Sequence, residues 1–172
     1  GIPAIGELEL AYRHAQGRLI AITGTNGKTT TTTLAGEIFK NAGKLTYVVG
    51  NIGVPYASVA LKTRPEDVTV CEVSSFQLET VEKFHPGVTA ILNITEDHLN
   101  RHGTMAVYTQ LKARVFENQT SDDTLILNYD DEVLRDMAKD APCRVRWFSR
   151  TQIPPRGAFV AGDALVYGTA DD

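Results

Sequence analysis

"LIAITGTNGKTTTTT", residues 19 to 33, is the stretch that most restricts the fold. Residues 19–22 form a short continuous apolar run, as a parallel strand covered on both faces requires. Gly24 and Gly27 break that run, and the chain then resumes with apolar residues at helical spacing, Leu34, Ala35, Ile38 and Ala42, up to a terminating Gly43. A strand, a glycine turn and a helix in that order make a βα unit, and such units commit a chain to a largely parallel sheet.

Backbone N–H groups at a glycine turn and a helix N-terminus form an anion site. Gly24, Thr25, Asn26 and Gly27 therefore read as a phosphate cradle. Lys28 adds a mobile positive charge for the outer phosphates, the Thr29 hydroxyl can ligate Mg2+, and Thr30 can reach a phosphate. The spacing departs from GxxxxGK[ST], which would need glycine where Ile22 stands. Threonine is a mediocre helix former, so five in a row need a reason. The first one or two serve phosphate and metal; Thr31, Thr32 and Thr33 read as small side chains that pack or bond back to the helix.

Further strands are expected at 45–49, 68–73, 88–92, 124–127 and 144–148. Helices are expected from a Thr104 cap to about residue 118 and over roughly 131–139, with a terminal hairpin at 159–167 turning at Gly162 and Asp163. The predicted fold is a single α/β domain, a P-loop-type, mostly parallel sheet flanked by helices, with a C-terminal hairpin. No repeat or low-complexity linker appears, and Pro154-Pro155 is the one expected break.

Ligands in open α/β sheets bind at the carboxyl ends of strands. At those ends lie residues 24–29, Asn51, Glu72 and the 93–98 loop. Glu72 reads as a Mg2+ ligand, directly or through water. His98 taken alone reads as an ordinary solvated loop histidine. Lys112 shares a helix face with Tyr108, Leu111 and Val115, where a charged amine is costly. Three readings stand for it: it snorkels outward, it pairs with an anion, or chemistry removes its charge. In the last case a neutral amine would take up CO2 as a carbamate able to ligate a cation.

A 172-residue chain, 42% apolar and 22% charged, is the size of one domain with a real core. A net charge of −4 argues against nucleic-acid binding through a basic surface. Cys71 and Cys143 sit in strand-like runs and read as reduced, buried thiols. No stretch approaches the roughly 20 apolar residues of a membrane span, and no signal peptide is visible, so a cytoplasmic protein is expected. Because the chain begins at Gly1 without methionine, it is expected to be a piece of something longer.

The loop "TGTNGKTTT" resembles the ATP-binding loop of the Mur ligase superfamily, which includes folylpolyglutamate synthetases. "GNIGVP", "CEVSSFQLE" and "LNITEDHLNRHGTMAVYTQLKARVFENQ" resemble that family's D-glutamate-adding branch, with "SSFQLE" the sharpest discriminator; the similarity covers nearly all of residues 1–150. The resemblance implies an ATP-dependent ligase of peptidoglycan precursor synthesis, joining D-glutamate to UDP-N-acetylmuramoyl-L-alanine through an acyl phosphate. Another Mur or folylpolyglutamate-type ligase is the alternative. Lys28 and Thr29 would hold the β/γ-phosphates and Mg2+, and Glu72 the first metal. Asn51 and Ser74 would lie beside the muramoyl substrate or the metal site. His98 would bind a second Mg2+, and Lys112 would be the family's carbamylated lysine. Lys28, His98 and Lys112 would thus be the catalytic set. Residues 1–172 would be the central ATP-binding domain, without the N-terminal UDP-binding and C-terminal domains, ending before a His-Asn-x-x-Asn stretch that contacts adenine. The piece alone is expected to bind nucleotide and Mg2+ without turnover, as a monomer with no nucleic-acid or membrane partner.

Overall fold

The computed structural model describes residues 5–97, 101 and 103–169. The chain runs α1 (Glu7–His14), β1 (Arg18–Thr23), α2 (Lys28–Asn41), β2 (Thr46–Gly50), β3 (Val68–Glu72), the single turn α3 (Ser75–Leu78) and β4 (Val88–Ile91). It continues through α4 (Met105–Ala113), β5 (Thr124–Asn128), α5 (Glu132–Met137), β6 (Arg144–Ser149) and the pair β7 (Gly157–Ala161) and β8 (Ala164–Gly168). Eight strands form one sheet in the order β2-β3-β1-β4-β5-β6-β7-β8. Every neighbouring pair is parallel except β7 and β8, the expected hairpin. The predicted strands, the two later helices and the turn at Gly162 and Asp163 are all present.

The winding decides where a ligand can sit. From β1 the chain moves to one side, through α2 to β2; from β3 it moves to the other, through β4, β5 and β6. Right-handed crossovers then place α2 on one face and the later helices on the opposite one. The reversal leaves a crevice between the carboxyl ends of β1 and β3. The period of two in β1 divides its side chains accordingly. Leu19 and Ala21 join the core under α1, α3, α4 and α5. Ile20 and Ile22 face the other way, with Val68, Val70, Ala35 and Phe39.

On that second face, among the described residues, α2 packs over β2, β3 and β1 but no helix covers β4, β5 or β6. An apolar trough of about 470 Å3 results, walled by Ile22, Phe39, Val88, Ala90, Ile126 and Phe148.

Two features differ from expectation. Of the apolar residues at helical spacing, Leu34, Ala35, Ile38 and Ala42, only Ala35 packs on the sheet, whereas Leu34 and Ile38 are both 59% exposed. The residues α2 buries are Thr32 and Gly36, with Ala35 and Phe39 against the sheet. A Cβ at Gly36 would lie 2.2 Å from Val48 Cγ2, so the helix approaches β2 too closely for anything larger. Thr32 is buried without a hydrogen-bond partner for its hydroxyl among the described residues, so of packing and bonding back to the helix, packing is the role it has. The helix ends as predicted: beyond the cap Ala42, Gly43 N–H donates to Lys40 O and Lys44 N–H to Phe39 O.

The second difference is α1, to which the sequence reading assigns nothing. Its Glu9 is fully buried, accepting from the backbone N–H groups of Glu82, Lys83 and Phe84 and from Arg13. The two cysteines are free, Cys71 buried and Cys143 half-buried.

Candidate functional site

At the crevice, β1 runs into the glycine turn and α2 begins at Lys28. Gly27, the residue before the helix, has φ +82°, a left-handed conformation that side chains resist. No side chain caps α2 and its first turn holds no acid. Its leading N–H groups and positive dipole end are therefore presented to an anion. Lys28 Nζ lies over the turn, donating to Gly24 O (3.0 Å) and Thr25 O (2.7 Å).

Glu72 ends β3 directly beside this turn and is 2% exposed. Its Oε2 accepts from the Thr29 hydroxyl at 2.7 Å and its Oε1 from Asn51 Nδ2 at 3.0 Å. Asn51 is held there because its N–H donates to Glu72 O, and Gly50 makes this approach possible. A Cβ at Gly50, where φ is +106°, would meet Glu72 O at 2.1 Å. Cis ligands of octahedral Mg2+, with bonds of about 2.0–2.1 Å, stand roughly 2.9 Å apart. The Thr29 and Glu72 oxygens are spaced almost so, and both are hard donors. Among the described residues no three His, Cys, Asp or Glu gather as a metal cluster. The pair therefore suits an ion that completes its shell with water and phosphate oxygens.

Lys112 settles one open question. It does not snorkel: it is 1% exposed, projecting from α4 to the end of β1. Its Nζ donates to Thr23 Oγ1 (3.1 Å) and Gly24 O (3.0 Å) and lies 5.3 Å from the Tyr108 ring centre. Burial pulls its pKa down to about 7, and the Lys28 charge pushes the same way against Asp97 and Glu72. The amine thus sheds its proton far more readily than a surface lysine. Lys112, Lys28, Asn51, Ser74, Asp97 and Tyr108 line one pocket of about 100 Å3.

Ser74 lies at this pocket with its hydroxyl already engaged. It accepts from Gln77 N–H while Gln77 Oε1 accepts from Ser74 N–H, a capping box that starts α3. Thr30 stands exposed on the first turn of α2. His98 lies outside the described residues. Sequence reasoning set the 93–98 loop at the site without giving Asn93 or Asp97 a role, named Tyr108 only as a neighbour of Lys112 on its helix face, and missed Thr23. Thr23 is fully buried and its hydroxyl donates a hydrogen bond to Val73 O (2.7 Å). Tyr108 OH shares a hydrogen bond with Thr25 Oγ1 at 3.2 Å. The inward helical stripe pointed to Tyr108 and the strand end to the loop of Asn93 and Asp97, but nothing local marks Thr23.

A glycine turn opening onto a helix N-terminus, a strand-end glutamate and a buried lysine thus gather at the winding reversal of a mostly parallel sheet. Residues 22–155 match the Mur ligase middle domain, and the chain belongs to that family. Similar relatives are ligases named for the D-glutamate step. The UDP-N-acetylmuramoylalanine--D-glutamate ligases of Lachnoclostridium phytofermentans and Alkaliphilus oremlandii are 54% and 55% identical to it, each over 96% of this chain. The chain spans 37% of the length of either relative. Among solved structures, the MurF ligase of Thermotoga maritima in complex with ADP superposes with a TM-score of 0.66 at 18% identity, covering 94% of this chain and 40% of that one. E. coli FolC in complex with DHPP and ADP gives 0.67 at 15%, covering 99% and 52%. Those two likenesses are of fold.

Proposed function

We propose that this chain is the central ATP-binding domain of a longer ligase that joins D-glutamate to UDP-N-acetylmuramoyl-L-alanine at the expense of ATP. The observation that carries the reading is the meeting of the Lys28 turn, Glu72 and Lys112 in one crevice, in a chain more than half identical to ligases named for that step. The reaction class is amide formation through an acyl phosphate. The substrate carboxylate takes the γ-phosphoryl group and ADP leaves; the amine then displaces phosphate and gives up its proton to solvent.

The protein's task in such chemistry is positioning and charge neutralisation. The N-terminus of α2 receives the phosphates, and Lys28, freed from the Gly24 and Thr25 carbonyls, follows them. Thr29 and Glu72 would hold one Mg2+. Bound Mg2+ would lower the repulsion between the triphosphate and the incoming carboxylate. Lys112, as a carbamate, and His98 would hold a second. Asn51 orients Glu72 and stands with Ser74 on the acyl-substrate side of the pocket. Adenine and D-glutamate would be met by other parts of the longer polypeptide, a monomer working in the cytoplasm on cell-wall precursors. No helix among the described residues is long and apolar enough to cross a membrane.

The test is ADP release by the full-length protein with UDP-N-acetylmuramoyl-L-alanine and a panel of amino acids. Turnover with D-glutamate and not with L-amino acids is expected. Preference for another amino acid, or for a folate, would transfer the domain to a sister ligase.

A further inference from the structure

The phosphate turn does not hold itself. Asn26 stands exposed at its apex, yet both of its backbone groups are taken by one side chain on a different strand's loop. Asn26 N–H donates to Asn93 Oδ1 at 2.8 Å, and Asn93 Nδ2 donates to Asn26 O at 3.0 Å. One residue earlier, Thr25 N–H donates to Asn93 O at 3.0 Å. The Thr25 hydroxyl accepts from Thr95 N–H at 3.0 Å. The planar carboxamide satisfies Asn26 in one orientation alone, since flipping it would set like groups against each other. The 93–95 segment is itself anchored: Ile94 N–H donates to Asp131 Oδ2, on the residue that caps α5.

With two residues between its glycines, the turn has little chain of its own with which to brace Gly27 at positive φ. A flexible glycine turn would have to be ordered by the ligand, and that ordering would be subtracted from affinity. We propose that Asn93 is a positioning residue for the nucleotide's phosphates. Its carboxamide fixes the Asn26 peptide, so that Gly27 keeps its left-handed conformation and the N–H groups leading α2 face the crevice before any phosphate arrives. The inference rests on the nucleotide reading above and adds to it a residue that touches no substrate.

Asn93→Ala, and Asn93→Leu to keep the volume, made in the full-length protein, provide the test. The KM for ATP should rise about 10-fold. At the same time kcat and the KM for the acyl substrate should stay within about two-fold of wild type, and Tm within a few degrees. Hydrogen exchange at the Asn26 amide, measured without nucleotide, should lose its protection in both variants. Unchanged KM for ATP, or an Asn26 amide still protected, overturns the proposal. So does misfolding of both variants or a uniform loss in every parameter, since Asn93 would then hold the fold and not the turn. A wild-type protein that uses no ATP would sink the function itself, a separate outcome.

Discussion

Lys112 was conspicuous in the sequence because its neighbours three and four residues away are apolar, and its burial follows from that pattern. Its hydrogen-bond acceptors were invisible there, since Thr23 and Gly24 lie almost ninety residues away. The same holds for Asn93, which looks like any loop asparagine until the turn it braces is placed beside it. Glu72 was legible as a single acid ending an apolar run. Asn51 was named with it from its place at a strand end, its role coming from family resemblance, but the bond between them depends on Gly50 accepting a close approach. Burying an amine has a measurable consequence. With a folded-state pKa near 7 against 10.5 in the unfolded chain, the unfolded state binds more protons between those values. Stability should therefore climb with pH from 7 upward, by about 1 kcal/mol per unit from this group. Below pH 7 the cost of the buried cation is present in full. In Lys112→Met this contribution should vanish, so the wild-type urea midpoint should shift steadily upward relative to the variant's from pH 7 through 8 to 9. Parallel pH profiles would show that the amine is not strained by its burial.

At the scale of elements, the parallel strands were the most readable parts because continuous apolar runs between turn residues have few other uses. Helix α2 was found in place, but of its expected apolar stripe only Ala35 faces the sheet. Leu34 and Ile38 have the stronger apolar signal, whereas close packing on β2 selects the small Thr32 and Gly36. A stripe of bulk and a stripe of smallness compete, and the distance between helix and sheet decides. Gly36→Ala measures that competition. Alanine raises helix propensity by about 1 kcal/mol, while overpacking costs about 1–3 kcal/mol. A net loss of up to about 2 kcal/mol in urea unfolding is expected; a gain would mean that Val48 rotates away freely. Helix α1 went unread for a related reason. "ELEL" alternates with a period of two, and Glu9 belongs to the core only through three backbone N–H groups some seventy residues distant.

For the molecule as a whole, one winding rule accounts for both the site and the bare flank. The reversal at β1 opens the crevice between β1 and β3. Among the described residues it also sends the later helices to one side, leaving the opposite face of β4, β5 and β6 to the trough beside Phe39 and Phe148. Apolar surface already wet in the native state contributes nothing to the heat-capacity rise when the chain melts. A typical 172-residue protein would show about 2 kcal/mol/K or more; calorimetry on this chain should give a smaller figure, and a value at or above the norm would contradict the open flank. Its curve of stability against temperature should accordingly be shallow. Cooling would erode such a chain less than a fully clad sheet of equal size, and warming would find it with less to lose.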